Sequence, residues 1–290
     1  MPKTFDPDAF HRLLRTHTLG KTLEYQPSTP STMVLAKNLL NKHTHTHKHH
    51  GTVLVADDQT HGQGRRGRHW EAQPKQSLLF SLIWAPANTL PQDFFPQMVR
   101  LNLAAPVAVA SACAAMGVGG ALIKWPNDVW AGDPIRKLSG ILLDVGGSDA
   151  AVLGVGVNVY QDMGENPHAT SLSTLLQDPG CRRLVSDHVQ TGLREALLAS
   201  ICWELERLMA LPTSSVIDEH ARRDMLRGKL IRVHHKSREE ADERDFDATA
   251  TGIDPTSGML LVRREGFPAP IALSGEEVSI TPHSASQVQG

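Results

Sequence analysis

The sequence predicts an α+β protein, in which helices flank a sheet and a small all-β unit follows. Three strand candidates between residues 121 and 159 are joined by short turns, and such turns favour antiparallel neighbours. Helical periodicity stands before and after this group. Past about Leu226 the pattern changes to short strands and turns, which indicates the second unit.

The first predicted elements are a helix over residues 31–41 and a strand over residues 52–56. Ser31 or Thr32 can cap the helix, and leucines form its apolar stripe. The strand is a short apolar run, as expected for a buried position in a sheet.

A histidine-rich segment, residues 43–50, separates these two elements. Alternating histidines can bind transition metals. No cysteine or carboxylate in the segment completes a defined metal site. We therefore favour a solvated loop over a metal site and expect the segment to be dispensable.

The middle of the chain contains one further strand, a long alanine-rich helix, the three strands named above and a second long helix. Pro106 lies inside the first helix, where a kink can form. The second helix is strongly amphipathic. In chain order the predicted ranges are 77–84, 98–116, 121–125, 137–145, 151–159 and 185–208.

The C-terminal unit combines short strands with turn signals, a pattern typical of a small barrel. Its predicted strands are 229–233, 248–253, 259–262 and 271–273, and the charged segment 237–247 is an exposed hairpin loop. The predicted organisation is an N-terminal extension at 1–22, a main domain at 23–226, and a C-terminal domain with its tail at 227–290.

Composition favours a soluble protein of the cytoplasm. The 29 basic and 31 acidic residues nearly cancel, which argues against a strongly basic nucleic-acid surface. The three cysteines have neither disulfide-framework nor zinc spacing, which suits a reducing compartment. The polar N-terminus lacks the apolar core of a signal peptide, and no run approaches 18 apolar residues, so no membrane span is expected.

The most informative stretch is the loop Gly62-Gln63-Gly64-Arg65-Arg66-Gly67-Arg68. Its glycines satisfy the dinucleotide fingerprint G-x-G-x-x-G, but that motif must open a helix directly, and this loop instead runs towards Pro74. We reject the dinucleotide interpretation. Glycine allows close backbone approach, and guanidinium groups bind carboxylate and phosphate. The loop can close over an anionic ligand, or it can be a basic surface turn.

Three further segments carry candidate site residues. Lys124-Trp125-Pro126-Asn127-Asp128 ends one predicted strand in a rigid corner, where Asp128 can bind a ligand or shape a turn. Lys137 begins the next strand, where it can stabilise charge on a reacting phosphate or simply be solvated. Glycines in the strand Gly154-Val155-Gly156-Val157-Asn158 mark close approach of a ligand or of backbone.

Together these segments resemble the catalytic module of the biotin–protein ligases. The resemblance rests on segments in the family's order: 62–70, 124–128, 137–142 and 154–158, then 169–172, 252–254, 258–260 and 274–278. It covers about residues 23–281. Any one segment alone would be weak, whereas a chance match of all of them is improbable.

The resemblance implies a central mixed β-sheet flanked by helices, with a small C-terminal SH3-like β-barrel. It implies an enzyme that forms biotinyl-5'-AMP from biotin and ATP and transfers biotin to a lysine of a biotin carboxyl carrier protein. Mg²⁺ would be held through the phosphates, without a metal site made by protein alone. The carrier domain of acetyl-CoA carboxylase, or of a related carboxylase, would be the partner of a monomer or weak homodimer.

The resemblance also assigns roles to single residues. The catalytic residues would be Arg65 and Lys137, which stabilise charge on the reacting carboxyl and phosphate, and Asp128, which orients the acceptor lysine. The biotin site would comprise Ser31, Thr32, Gln59, Gly62, Gln63, Gly64, Arg65, Lys137 and Gly140. The ATP or adenylate site would comprise Arg65, Arg66, Arg68, Trp70, Asn127, Asp128 and Asn158.

The chain departs from the family pattern at a few positions. Gln63 stands where the family more often has arginine, and Met33 where it often has asparagine. Ser28-Thr29 repeats the dipeptide Ser31-Thr32, so either pair can face biotin. We favour Ser31-Thr32 because the apolar helix follows it directly.

Three alternatives have distinct sequence signals. A lipoate–protein ligase shares the fold, but the arginine-rich loop and the C-terminal domain favour biotin. Some family members are DNA-binding repressors with an N-terminal winged helix-turn-helix, and only about 25 residues precede the module here, so we expect no sequence-specific DNA binding. The retained Arg65 and Lys137 argue against a catalytically silent biotin-binding module.

Overall fold

The computed structural model describes residues 2–42, 45–87, 89–147, 149–163, 166–177, 192–235, 245–275 and 278–282. These residues form one sheet of seven strands and one of five, with helices packed against the larger sheet. The predicted plan of a helix-flanked sheet followed by a small β domain is confirmed.

The larger sheet is mixed. Its strands are β1 (Leu23–Gln26), β2 (Val53–Ala56), β3 (Ser77–Trp84), β4 (Leu122–Lys124), β5 (Asp128–Ala131), β6 (Arg136–Val145) and β7 (Ala151–Asn158). They lie in the order β1-β2-β3-β7-β6-β5-β4, and only β1 and β2 run parallel among the neighbouring pairs described. The central strands β2 and β3 are buried along their whole length, as their apolar runs predict.

The sequence does not predict β1 or β5. β1 is only four residues long, and its side chains are half-buried or exposed, so it carries no strong apolar signal. β5 lies in the segment interpreted as a turn, but it pairs with β4 so that Lys124 stands opposite Asp128. The corner between these two residues is therefore the turn of a hairpin, and it places a cation beside a carboxylate.

The helices lie mainly where the sequence predicts them. They are α1 (Pro7–Leu13), α2 (Thr32–Asn41), α3 (Pro91–Ala115), α4 (Leu172–Leu176), α5 (Leu193–Ala210) and α6 (Thr213–Ala221). The predicted start of α3 at Met98 is wrong, because Pro91 occupies the first turn, where the missing proline N–H has no intrahelical partner. The predicted helix 185–208 coincides with α5 from Leu193 onward, and residues 185–191 lie outside the described residues.

Helix α3 meets the length and hydropathy expected of a membrane-crossing segment, although it contains no unbroken apolar run of that length. Within the described residues, 72% of its most apolar window is buried inside the fold. It packs against α5, α6 and strands of the larger sheet. This burial is what the core helix of a soluble protein shows.

The N-terminal segment is part of the main core. Phe5 and Phe10 are 2% and 0% exposed and join the same hydrophobic cluster as the central strands. An ion pair with both side chains 2% exposed ties the segment down: Arg194 Nη1 lies 2.7 Å from Asp57 Oδ1. Asp57 also accepts a hydrogen bond from the Phe5 backbone N–H, and Arg194 donates to the Lys3 carbonyl. The first residues therefore depend on a buried charge at the end of β2.

The smaller sheet is antiparallel and has its own core. Its strands are β8 (Leu230–His235), β9 (Phe246–Ile253), β10 (Leu260–Arg263), β11 (Ile271–Leu273) and β12 (Val278–Pro282), in the order β11-β10-β9-β8-β12. The sequence does not predict β12. Trp125 of the larger domain packs into this core and donates from Nε1 to the Gly258 carbonyl at 3.1 Å, so it joins the two domains.

Part of the histidine-rich segment forms a short 3-10 helix, Thr46–His49. Residues 43 and 44 lie outside the described residues. His50 differs from the other histidines because its Nδ1 accepts a hydrogen bond from the Ala85 N–H and its ring packs edge-on to Trp84. Among the described residues no three histidine, cysteine or carboxylate side chains are placed to hold a metal ion.

We expect residues 43–49 to be replaceable by a Gly/Ser linker of equal length if His50 is kept. His45 and His47 are exposed, and the Thr46 hydroxyl bonds only to the exposed Asp149, so little stability depends on them, whereas the His50 contacts are partly buried. The free energy of unfolding, measured in urea, should change by less than about 1 kcal/mol. A large loss that added zinc or nickel modulates would instead reveal a metal site.

Candidate functional site

A cavity of about 230 Å³ opens between the larger sheet, β12 and the arginine-rich segment of residues 62–70, which we call the basic loop. Most of the residues selected from the sequence line it: Ser31, Thr32, Gln59, Gln63, Gly64, Arg65, Arg66, Arg68, Trp70, Asn127, Asp128, Lys137 and Gly140. Gly62 and Asn158 do not. Residues distant in sequence thus meet at one cavity.

One end of the cavity is polar and uncharged. The Thr32 hydroxyl is hydrogen-bonded to Gln59 Oε1 at 3.1 Å and to Ser81 Oγ at 2.8 Å. Ser31 is 1% exposed, and its Oγ has no hydrogen-bond partner among the described residues. Ser31 occupies the N-cap position of α2, but its side chain does not cap the helix. A buried hydroxyl aimed at a cavity costs free energy unless a ligand or water satisfies it.

The repeated Ser-Thr dipeptides are distinguished by their positions. Ser28 is exposed and donates to Asp58 Oδ2 at 2.8 Å, away from the cavity. Ser31 and Thr32 both line the cavity. The second pair, which we favour from the sequence, is therefore the one at the cavity, and its contact with biotin stays a prediction.

The wall of the cavity is built around the Trp70 indole. A Cβ added at Gly156 would lie 2.6 Å from Trp70 Cε2, and one added at Gly140 would lie 2.9 Å from Cζ3. The third glycine of these strands, Gly154, makes room for Met33, since an added Cβ would lie 2.6 Å from Sδ. The close approach predicted for the glycine strand is thus made, in this structure, by side chains of the protein itself.

The other end of the cavity is strongly cationic. The side chains of Arg65, Arg66, Arg68, Lys124 and Lys137 line it, and Asp128 is the one acidic residue among the described lining residues. Lys137 Nζ lies 2.7 Å from Asp128 Oδ1 and 5.6 Å from the centre of the Trp70 ring. An excess of cations around a confined space favours an anionic ligand.

Lys124 belongs to this cationic end, although sequence reasoning gave it no role. Burial lowers the pKa of its ammonium group; nearby Asp128 opposes that shift, and Lys137 and Arg68 add to it. Lys124 could have been selected from the sequence because it stands in the same motif as Asp128. The sequence analysis did not predict the β4–β5 hairpin, and it is this hairpin that puts Lys124 opposite Asp128.

The basic loop is folded back on itself and fastened to the C-terminal domain. Within it, Gly64 N–H donates to the Arg68 carbonyl at 2.7 Å, and Trp70 N–H donates to the Gly62 carbonyl at 3.0 Å. The Arg66 guanidinium donates to the carbonyls of Gly275 and Val278. The C-terminal domain therefore holds the loop as well as supplying Val278 and Ile280 to the cavity wall.

Two residues assigned to ligands from the sequence have structural contacts instead. Gly62 packs against the Trp70 backbone, where an added Cβ would lie 2.4 Å from the carbonyl oxygen. Asn158 is 4% exposed, and its Nδ2 donates to the Thr170 carbonyl at 3.1 Å. Neither Gly62 nor Asn158 lines the cavity in this structure. Their direct contact with a ligand stays a prediction.

Residues 25–158 match the Biotin/lipoate A/B protein ligase family. Over 185 residues the chain is 34% identical to the bifunctional ligase/repressor BirA of Bacillus spizizenii, covering 61% of this chain and 54% of that protein. Over 129 residues it is 40% identical to the biotin–[acetyl-CoA-carboxylase] ligase of Mycobacterium tuberculosis, covering 43% and 46%. The aligned parts thus span about half the length of these curated relatives.

The fold is similar to that of a solved structure, the biotin protein ligase from Aquifex aeolicus in complex with biotin and ATP. The TM-score is 0.65 at 23% identity, and the match covers 91% of this chain and all of that one. At this identity the likeness establishes the fold. It includes the C-terminal sheet, because the match extends well beyond the first domain.

Proposed function

On the premise that residues 25–158 belong to the biotin/lipoate A/B protein ligase family, we propose that this chain is a biotin–protein ligase. It joins biotin to AMP at the expense of ATP and then transfers the biotinyl group to a lysine of a carrier protein. The observation that carries the proposal is the polarity of one cavity: uncharged hydroxyls at one end and five cations at the other. Biotin has a neutral polar ring system and, at the end of an apolar chain, a carboxylate.

The uncharged end suits the ureido ring of biotin. Its N–H and C=O groups need partners of both kinds, and the unpartnered Ser31 hydroxyl can donate or accept. Gln59 Oε1 already accepts from Thr32, which fixes its orientation beside Ser31. The apolar side chains of Met33 and Leu142 line the cavity beyond this end, where the aliphatic chain would lie.

The cationic end suits the reaction that activates the carboxylate. The biotin carboxylate and the α-phosphate of ATP are both anions and repel each other as they approach. Positive charge must therefore be in place before the reaction. Arg65 and Lys137 would stabilise the charge on both reactants, and pyrophosphate would leave. Asp128 is the one carboxylate among the described lining residues, which is too few to hold Mg²⁺ by protein ligands alone. The ion would therefore be bound mainly by the phosphates and would neutralise part of their charge.

The transfer step requires an uncharged lysine from the acceptor. Asp128 lies at the cavity and is held by Lys137 at 2.7 Å, so it is placed to accept a hydrogen bond from the incoming amine. Closure of the basic loop over the adenylate would keep water from the mixed anhydride. The acceptor would be a biotin carboxyl carrier domain of a carboxylase.

The direct test incubates the full chain with radiolabelled biotin, MgATP and a purified biotin carboxyl carrier domain. Label should be transferred to the carrier, and a carrier with its acceptor lysine replaced by arginine should remain unlabelled. Lipoate in place of biotin should give much less product. Preferential transfer of lipoate, or no transfer from either, would reject the proposed function.

We expect the basic loop to become more protected from hydrogen exchange when biotin and MgATP bind. Arg66 already holds the loop to the C-terminal domain, but the loop's arginines and the neighbouring lysines bring like charges to one cavity, and a bound anion would compensate them. Exchange at Gly64–Arg68 should slow, while exchange in the β8–β9 pair serves as the internal reference. Equal protection of residues 64–68 with and without the ligands would contradict closure.

A further inference from the structure

A second cavity lies between the helices of the larger domain and the C-terminal sheet. Its volume is about 240 Å³, and its walls come from α3, α6 and the strands β9 and β10. It shares none of its lining residues with the first cavity. The proposed ligase reaction therefore gives it no role.

Two polar side chains at this cavity, one buried and one half-buried, have buried atoms without partners among the described residues. His220 is 2% exposed, and neither ring nitrogen makes a hydrogen bond. Asp224 accepts from the Leu226 N–H with Oδ1 at 2.9 Å, while its buried Oδ2 has no partner. Both residues line the cavity, His220 from the last turn of α6 and Asp224 from the turn that follows the helix.

The protonation of these groups determines what they can bind. Burial, with a smaller contribution from Arg223, lowers the pKa of His220 to about 4, so its imidazole is neutral near pH 7 and has one acceptor nitrogen. Burial raises the pKa of the Asp224 carboxyl, and the N–H groups of Leu226 and Arg227 and the nearby charges of Arg227 and Lys229 oppose that shift. Each buried group left unsatisfied costs about 1–3 kcal/mol. The Asp224 oxygen and one His220 nitrogen therefore point to an occupant with N–H donors, and the other His220 nitrogen can donate to an acceptor of the same occupant.

The rest of the cavity limits the shape of that occupant. Leu103, Ile217 and Leu261 are apolar walls, which favour a flat ring. Among the described lining residues Arg227 is basic and Asp218 and Asp224 are acidic, so the lining does not select against either sign of charge.

We propose that this second cavity binds a small, planar nitrogen heterocycle that carries an exocyclic amino group. The amino group donates to Asp224 Oδ2, and a second N–H of the amino group or ring donates to the acceptor nitrogen of His220. The ring lies between the apolar walls.

The test uses the full chain with ¹⁵N-labelled histidine and two probes of equal size, 2-aminopyrimidine and pyrimidine. The His220 ring signals, assigned by their loss in His220→Gln, should move saturably with 2-aminopyrimidine and hardly with pyrimidine. Nuclear Overhauser contacts should link the probe to methyl groups of Ile217 and Leu261 in the unaltered protein. A cavity that holds only water gives neither result, and that outcome overturns the proposal.

A pair of matched variants tests the donor–acceptor pattern. In Asp224→Asn the amide oxygen can keep the Leu226 hydrogen bond, so the NH₂ group faces the cavity and opposes the ligand's amino group. Binding of 2-aminopyrimidine should weaken by about ten-fold or more. Asp218→Asn, at the exposed mouth of the same cavity, should change it by less than about three-fold. Equal affinities in the two variants would overturn the proposal, and the contacts in the unaltered protein decide it if Asp224→Asn does not fold.

Discussion

Lys137→Ala should slow formation of biotinyl-adenylate by about 10²–10³, because a cation placed between two reacting anions contributes roughly 3–4 kcal/mol in the transition state. The ammonium group lies at the cationic end of the first cavity, 2.7 Å from Asp128. Pyrophosphate release measures this step. Single-turnover transfer from pre-formed adenylate should be affected much less.

Two further variants separate this role from a general effect of removing a lysine. Lys137→Arg should not restore the full rate, because a planar fork does not replace a compact ammonium group. Lys37 is the matched control: it also forms an ion pair with a strand carboxylate, Asp144, at 2.6 Å, but it lies outside the cavity. Lys37→Ala should leave both steps within about two-fold. Normal pyrophosphate release in Lys137→Ala would remove Lys137 from the mechanism.

Arg194→Met should lower the free energy of unfolding by about 3–5 kcal/mol, the cost of leaving a buried carboxylate without its cation. Asp57 is 2% exposed, and Arg194 lies 2.7 Å away. The Lys3 carbonyl would also lose a donor. Urea unfolding measures the loss, and hydrogen exchange of residues 7–13 should increase in parallel because Phe5 and α1 are held from the same place.

The control for Arg194→Met is Arg232→Met. Arg232 pairs with Asp247 at 3.2 Å, but both side chains are about two-fifths exposed. Such an exposed pair contributes about 0–1 kcal/mol, so the free energy of unfolding of Arg232→Met should be close to that of the unaltered protein. Equal losses in the two variants would show that burial of the Arg194–Asp57 pair has no special weight.

The site residues could be selected from the sequence because their signals are local. Glycines alternate with arginines in residues 62–68, and Lys124 and Asp128 flank one proline corner. Contacts across the fold have no such signal. Trp70 covers Gly140 and Gly156 only because β6 and β7 pair in a register that places the two glycines opposite each other. Asn158 looked like a site residue because it ends a motif, but its amide binds backbone outside the cavity.

The sequence by itself determined the class of fold, the order of most elements and the chemical character of the site. Hydrophobic periodicity and turn residues act over a few positions, so they can be recognised without knowing the rest of the structure. Only the tertiary structure decided how separate segments meet. It placed the N-terminal segment in the main core, brought β12 to the first cavity, let Arg66 reach the carbonyls of Gly275 and Val278, and enclosed His220 with Asp224. These arrangements depend on sheet register and domain packing, which join residues up to about 200 positions apart and leave no pattern within a short window of sequence.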